Sequence, residues 1–229
     1  MTAVLIDTET TGLNEPEAVE VAHAVLGATP REPAYAAAIA VQRLRPSKRC
    51  ELGALATHHI LDAELADCPP SSSYRLPEGT AYVIGHNIDY DWGAIGKPDV
   101  RRICTLAFAR QLWPEADSHS LGAMLYLLLP PTLARAAQTG RHSARGDAHN
   151  TLVFLFRFIL PLLPGAYSWE TLWRYSERAR VPKVMPFGKH RGELIADLPG
   201  DYVQWCLRQG DDFGDEYLRR ALTTYRVAR

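Results

Sequence analysis

Val4-Leu5-Ile6-Asp7-Thr8-Glu9-Thr10-Thr11-Gly12-Leu13-Asn14 constrains the fold more than any other stretch of this chain. It opens as a short apolar, β-branched run, the pattern of a buried strand. At the end of the run stand two carboxylates, then two threonines and a glycine where the chain must turn. Side chains alternate along a strand, so Asp7 and Glu9 project to one face while Thr8 points away. Two carboxylates brought together in a partly buried place repel each other, and burying either one unpaired is costly. A cation between them relieves the repulsion, and hard oxygen ligands suit Mg²⁺ or Mn²⁺. The plainer alternative is a strand end whose acids cap a following helix or sit in solvent.

The 229 residues suffice for one good core and a small appendage. A hydrophobic share of 47% with 22% charged residues is that of an ordinary globular protein. No apolar run reaches the length of a membrane span; the longest, Leu152 to Leu163, is interrupted by Arg157 and Pro161. The chain reads straight into the Asp7 strand, leaving no room for a signal peptide. Cys50, Cys68, Cys104 and Cys206 are never spaced as a CxxC pair and read as reduced thiols of a cytoplasmic protein. A net charge of −1 lacks the basic signature of a nucleic-acid binder. The charge is uneven, however: from Thr171 onward there are 11 Lys+Arg against 8 Asp+Glu, and before it 14 against 18.

After the Asp7 strand, residues 18–22 and 36–41 read as two more strands of a meander, the second Ala-rich. Arg43 to Lys48 reads as a loop leaving the sheet edge. Asp62 is placed to cap a short helix that ends at Pro69-Pro70. His58 and His59 precede it, where loop histidines are commonly solvated. Thr80 to Asn87 is a strand running into a polar break, and Asp89 or Asp91 could cap the helix after it. Residues 102–105 look like a strand feeding a helix over 106–112, and a further helix spans 121–129 up to Pro130-Pro131. A polar loop over 138–141 then leads to His142-Ser143-Ala144-Arg145-Gly146-Asp147 and a long apolar segment, 151–163. His142 and Asp147 would point roughly 140° apart on one helix, so they converge only if His142 lies in the preceding loop and folds back. The order is an α/β one with a mixed sheet, and acids at strand ends can meet at the rim of such a sheet.

From about Val181 the texture changes. Val184 to Gly192 is a compact Gly/Pro turn bearing Lys189, His190 and Arg191, followed by a helix start near Pro199 and a last helix over 212–226. The basic turn is either a solvated hairpin tip or a phosphate-backbone contact.

Asp7-Thr8-Glu9-Thr10-Thr11-Gly12-Leu13 resembles the first motif of the DnaQ-like 3′–5′ exonucleases. His86-Asn87-Ile88-Asp89-Tyr90-Asp91 is similar to the second, an Asn followed four residues later by Asp. His142-Ser143-Ala144-Arg145-Gly146-Asp147 is similar to the third, the variant with a histidine base. All three in this order are far more specific than any one alone. Ile103-Cys104-Thr105, Ala109 to Pro114 and the tail Phe187-Gly188-Lys189-His190-Arg191-Gly192 resemble an exodeoxyribonuclease branch of the family, whose short C-terminal module carries a similar turn. The departures are Tyr90, where Phe is commoner, His59 in a stretch that often reads His-Gly-Ile, and the extra charge of Asp89.

The resemblance implies an RNase H-like mixed five-stranded sheet flanked by helices, with residues 1–178 as the exonuclease domain and 181–229 as a small accessory module with a DNA-binding reading. It implies two Mg²⁺ ions, replaceable by Mn²⁺, held by Asp7, Glu9, Asp91 and Asp147, with Asp91 acting mostly through water. His142 would take the proton from the attacking water, a task for which an imidazole titrating near pH 6.5 is suited. Thr10, Leu13, Asn14, His58 and Asn87 are the implied contacts to the terminal nucleotide, and Lys189 and Arg191 the contacts to DNA backbone. An apolar wedge tolerates any base. The function implied is hydrolysis of DNA from 3′ ends to 5′-mononucleotides, in repair. The same chemistry on RNA, as in oligoribonuclease-like or RNase T-like members, is the alternative, as is a polymerase proofreading subunit. A homodimer, or a polymerase or repair partner, is left open, and no membrane is implied.

Overall fold

The computed structural model describes residues 2–32, 38–139, 142–210 and 213–227, apart from the side chains of 225–227. They divide into two compact units, Met1–Ser176 and Glu177–Arg229, with the boundary inside one helix.

The first unit is built on a five-stranded sheet in the order β3-β2-β1-β4-β5. Its strands are β1 (Thr2–Thr10), β2 (Ala18–Val25), β3 (Ala40–Arg43), β4 (Thr80–Gly85) and β5 (Arg101–Cys104). β1 is central, antiparallel to β2 and parallel to β4; β2–β3 is antiparallel and β4–β5 parallel. A strand covered on both faces needs a continuous apolar run rather than alternation, and Ala3, Val4, Leu5 and Ile6 are all fully buried. The register sets Glu9 opposite Glu20 on β2, and Glu20 opposite Arg43 on β3. Ala36 and Ala37 of the expected third strand lie outside the described residues; β3 itself is the short exposed edge that follows.

The helices are α1 (Leu52–His58), α2 (Ile88–Ala94), α3 (Thr105–Leu112), α4 (Leu121–Leu128), α5 (Pro131–Gln138), α6 (Ala144–Val153) and α7 (Trp169–Arg180). α2 packs on β1, β4 and β5, and α6 on β1 and β2, so helices flank the sheet. α6 continues into a π-helical stretch, Phe154–Ile159, and a 3₁₀ turn, Leu160–Leu162, which together absorb the long apolar run.

Several local expectations are corrected. Asp62 is not a cap but the first residue of a 3₁₀ turn, Asp62–Leu65; its carboxylate accepts from the Cys50 amide at 3.2 Å. Ahead of it α1 forms, closed by His59 in the left-handed conformation. α5 follows Pro130 directly, because proline at the first helical position forfeits no helix bond. Asn87, rather than Asp89 or Asp91, occupies the N-terminal cap position of α2, with a φ of 73°.

The second unit holds α8 (Gly200–Arg208) and α9 (Glu216–Val227) around Met185, Ile195, Leu198, Val203, Cys206 and Leu218. Val184 bridges Leu194, and Gly192 donates to the Met185 carbonyl at 2.8 Å, closing the basic turn. Among the described residues no helix is long and apolar enough to cross a membrane.

Candidate active site

β1 delivers Asp7 and Glu9 to one face, and α6 brings Asp147 to meet them. One carboxylate oxygen from each of the three lies within 4.8 Å of the others. α6 is pinned at its start by Ser143, which accepts from the Gly146 amide at 3.2 Å. It is held to the sheet by Glu20, whose Oε1 accepts from the buried Ala144 amide at 3.3 Å. The other Glu20 oxygen accepts from Arg43 Nε at 3.3 Å, and Arg43 reaches on to Glu64 at 3.1 Å. Like charges directly opposite on a sheet are unfavourable; Arg43 offsets Glu20, but among the described residues no ion pair reaches Asp7, Glu9 or Asp147.

That uncompensated charge shows in the protonation of the site. Burial, followed by the charges of Asp91, Asp147, Glu9 and Glu20, pushes the Asp7 carboxyl well above the ordinary range. Burial, then Asp147, Glu20 and Asp91, pushes Glu9 up to about 8. Such a cluster holds protons until a cation replaces them, and its hard oxygens fit a divalent metal ion.

Asp91 stands apart from the three. It is 5% exposed on α2, and its Oδ1 accepts from the Thr8 amide at 2.9 Å and the Thr8 hydroxyl at 2.8 Å. These bonds favour its charged form, yet burial dominates and raises its pKa to about 7. Thr8, turned away from the Asp7–Glu9 face as alternation requires, therefore anchors the fourth carboxylate.

His142 lies in the turn before α6 with a φ of 61°, and its amide donates to Asp147 Oδ2 at 3.3 Å. This is the fold-back that the five-residue spacing demands. Its side chain is exposed.

After β1, Thr11 is fully buried and pins the turn: its amide donates to the Glu17 carbonyl at 3.0 Å and its carbonyl accepts from the Glu51 amide at 2.7 Å. Gly12 suits this turn because its φ is 148°, a conformation that residues with a side chain rarely adopt. The Tyr90 hydroxyl donates to the Gly12 carbonyl at 2.9 Å and lies 2.5 Å from Thr10 Oγ1. The Tyr-for-Phe departure thus adds a tie between α2 and this turn. Leu13 stands 80% exposed at the tip, and the Asn14 carbonyl accepts from Lys48 at 2.6 Å. His58, an expected substrate contact, lies directly beneath the Thr10 backbone. It is 7% exposed, its Nε2 donates to the Thr10 carbonyl at 3.2 Å and its Nδ1 accepts from the Ile60 amide at 2.9 Å. Only His59 is solvated. Asp89, which added charge nearby, pairs with Arg102 at 2.6 Å.

A cavity of about 500 Å³ opens beside Asp7 and Asp147, lined also by Asn87, His86, Arg110 and His119. Burial holds His86 neutral, down to about 4. Its Nε2 donates to the His119 carbonyl at 2.9 Å and its Nδ1 faces Thr105 Oγ1 at 3.0 Å, so it is a wall rather than a base. Lys189 and Arg191 are exposed on the turn of the second unit. Glu20 stands in none of the motifs, and Thr8 and Tyr90 stand in two of them with no role assigned there. A buried-acid signal was available for Glu20, an acid within the apolar strand Ala18 to Ala22, but its partners are remote in sequence.

Comparison with known proteins now bears on this geometry. A family model described as "Putative quorum-sensing-regulated virulence factor" matches residues 178–227. The protein "Exodeoxyribonuclease 10" of Escherichia coli strain K12 is 26% identical over 188 residues, covering 80% of this chain and 82% of the relative. Among solved structures, E. coli Exonuclease I in complex with a dT13 oligonucleotide aligns with a TM-score of 0.57 at 15% identity, over 93% of this chain and 61% of that one. The zinc-bound Exonuclease I–ssDNA complex from E. coli aligns at 0.54 and 14% identity, over 80% and 43%. These structural likenesses establish the fold.

Proposed function

We propose that the chain is a DnaQ-like exonuclease, a reading supported by its 26% identity to Exodeoxyribonuclease 10 and by its fold, and that it acts as a metal-dependent 3′–5′ exodeoxyribonuclease releasing 5′-mononucleotides from DNA ends, in DNA repair. The observation that carries the reading is the convergence of Asp7, Glu9 and Asp147, with His142 tied by its amide to the last of them. Asp7, Glu9 and Asp147, with Asp91 held nearby by Thr8, would hold two Mg²⁺ ions, and Mn²⁺ would substitute. When bound, the ions polarise the scissile phosphate and supply the positive charge that phosphoryl displacement requires.

The chain's own residues do the rest. His142 accepts the proton of the attacking water on its exposed imidazole. Its left-handed backbone and the bond to Asp147 keep the ring from joining α6, where it would point elsewhere. Leu13 offers an apolar surface to the terminal base without reading its edge, and Tyr90 and His58 stiffen the backbone of Thr10 and Gly12 that carries it. Asn14 and Asn87 are proposed to contact the terminal nucleotide beside it. The relative's name, Exodeoxyribonuclease 10, supports DNA over RNA as substrate. The four cysteines are free thiols, which supports a reducing, cytoplasmic setting. Residues 178–227, matched separately, are proposed to form an accessory DNA-binding module using Lys189 and Arg191.

The test is a timed digest of 3′-labelled and 5′-labelled single-stranded DNA and matched RNA, in Mg²⁺ and in EDTA. Early release of the 3′ label as mononucleotide, a shrinking 5′-labelled ladder on DNA, and little loss of RNA are expected. Equal or faster loss of RNA would move the substrate to RNA; no metal-dependent cleavage of either would sink the enzyme reading.

A further inference from the structure

The second unit carries a surface that the hydrolytic chemistry does not use. Five rings run in contact across it. His190 meets Tyr202 with centroids 4.3 Å apart, and Tyr202 stacks on Trp205 at 5.7 Å and 25°. Trp205 meets Phe213 edge-on at 5.5 Å, and Phe213 meets Phe187 at 5.3 Å. Tyr202 and Phe213 are half-buried against the unit's core, so the inner rings are anchored. The outer rings are open, Trp205 at 45% and Phe187 at 40% exposure. Exposed large rings side by side mark a binding surface, and rings already held in place lose little freedom when something stacks on them.

The charges around the rings narrow the occupant. Lys189 and Arg191 sit on the same turn as Phe187 and His190, and Arg208 lies three residues after Trp205, its neighbour on α8. All three are exposed, and among the described residues none makes an ion pair. Among the described residues, two acids on the same turn and helix are engaged locally: Glu193 accepts from His190 at 2.9 Å, and Asp201 from the Tyr202 amide at 2.8 Å. An apolar protein segment needs no such cations, and a duplex hides its base faces. Unpaired bases on a phosphodiester chain need both π faces and free cations.

We propose that this ring-and-cation surface is a stacking platform for the unpaired bases of single-stranded nucleic acid, with Trp205 and Phe187 as the stacking rings. It deepens the exonuclease reading, on which it rests, by giving the substrate strand a second site of attachment. Because every base has a π face, the platform is indifferent to sequence, as an exonuclease requires.

The test uses the full chain in EDTA, which stops metal-dependent cleavage, and a fluorescent oligo-dT carrying 5-bromodeoxyuridine. Irradiation is expected to cross-link the strand to peptides containing Trp205 or Phe187. By fluorescence anisotropy, W205A is expected to bind the strand about tenfold more weakly. W205L, which keeps apolar bulk without a ring, should weaken equally, and W205F should recover most of the loss. Circular dichroism checks that each variant folds, and the cross-link map of the unaltered chain decides the matter for any that does not. Cross-links confined to residues 2–176, or full affinity in W205L, would overturn the platform. Either result would leave the exonuclease reading standing, since that depends on metal-dependent digestion. A W205A chain that binds DNA normally but loses a concentration-dependent dimer would assign the surface to a second copy and equally overturn the proposal.

Discussion

Asp7 is the residue on which the site's charges converge, pushed upward by burial and by four neighbouring acids. Without it the cluster loses its shared ligand, but the surfaces that meet the DNA strand stay. D7A is therefore expected to abolish digestion while binding to labelled DNA in Ca²⁺ survives; retained turnover would sink the metal site. His142 has a separable task. H142A removes the imidazole and leaves the backbone amide that bonds Asp147, so the acids should keep their places. Its turnover at pH 8 is expected to fall about 10²–10⁴-fold, the usual worth of a general base, with little change in DNA affinity. An unchanged rate would remove His142 from the mechanism.

At the scale of elements, Asp147 and His142 are only as well placed as the start of α6. Glu20 fixes that start, through a bond to the Ala144 amide and a pair with Arg43 across β2 and β3. E20A leaves a buried amide without its partner and frees Arg43 from one of its two acids. A loss of about 1–3 kcal/mol of stability is expected, together with a fall in kcat larger than any change in KM. E20Q keeps an acceptor for Ala144 and removes one of the charges facing Asp7 and Glu9. It should recover most of the kcat, measured beside E20A by urea melts and initial rates. Equal kcat in E20A and the unaltered chain would show that α6 is held by its packing alone.

Across the whole molecule, the buried ionisable groups set how stability depends on pH. Glu9 and Asp91 titrate near 8 and 7 in the folded chain, and Asp7 is also raised, whereas unfolded acids titrate near 4. The folded state thus holds protons that the unfolded state has released, and stability falls as pH rises toward about 8. Buried histidines act in the opposite sense: His23, His58 and His86 are lowered by burial, so below about pH 6.5 the unfolded chain binds protons that the fold refuses. Their contribution fades over about one pH unit above that value, and through it the more numerous protons held by the acids keep the net slope downward. Metal-free protein is expected to lose Tm steadily between pH 6.5 and 8. Saturating Mg²⁺ or Mn²⁺ should abolish that slope and stabilise more at pH 8 than at pH 6.5, where it must displace bound protons. A metal-free Tm flat across this window would contradict the raised carboxyls.

The sequence by itself determined the parts of this protein governed by local period and spacing. A strand's two-residue period put Asp7 and Glu9 on one face, the five-position spacing of His142 and Asp147 required a fold-back, and the apolar run from Val4 to Ile6 read as a buried strand. Where the alternation of apolar residues was weak, legibility failed: among the described residues of the expected third strand only Ala40 and Val41 fall in the edge strand β3, and α1, α5 and α7 were not foreseen. Tertiary structure alone decided the relations between residues far apart in sequence. Thr8 and Asp91 are 83 positions apart, Glu20 and Ala144 are 124, and Tyr90 meets Gly12 across 78. His58 reaches the Thr10 carbonyl across 48 positions for the same reason. A side chain's partners are set by which strands and helices pack together, and no local pattern in the chain encodes that pairing.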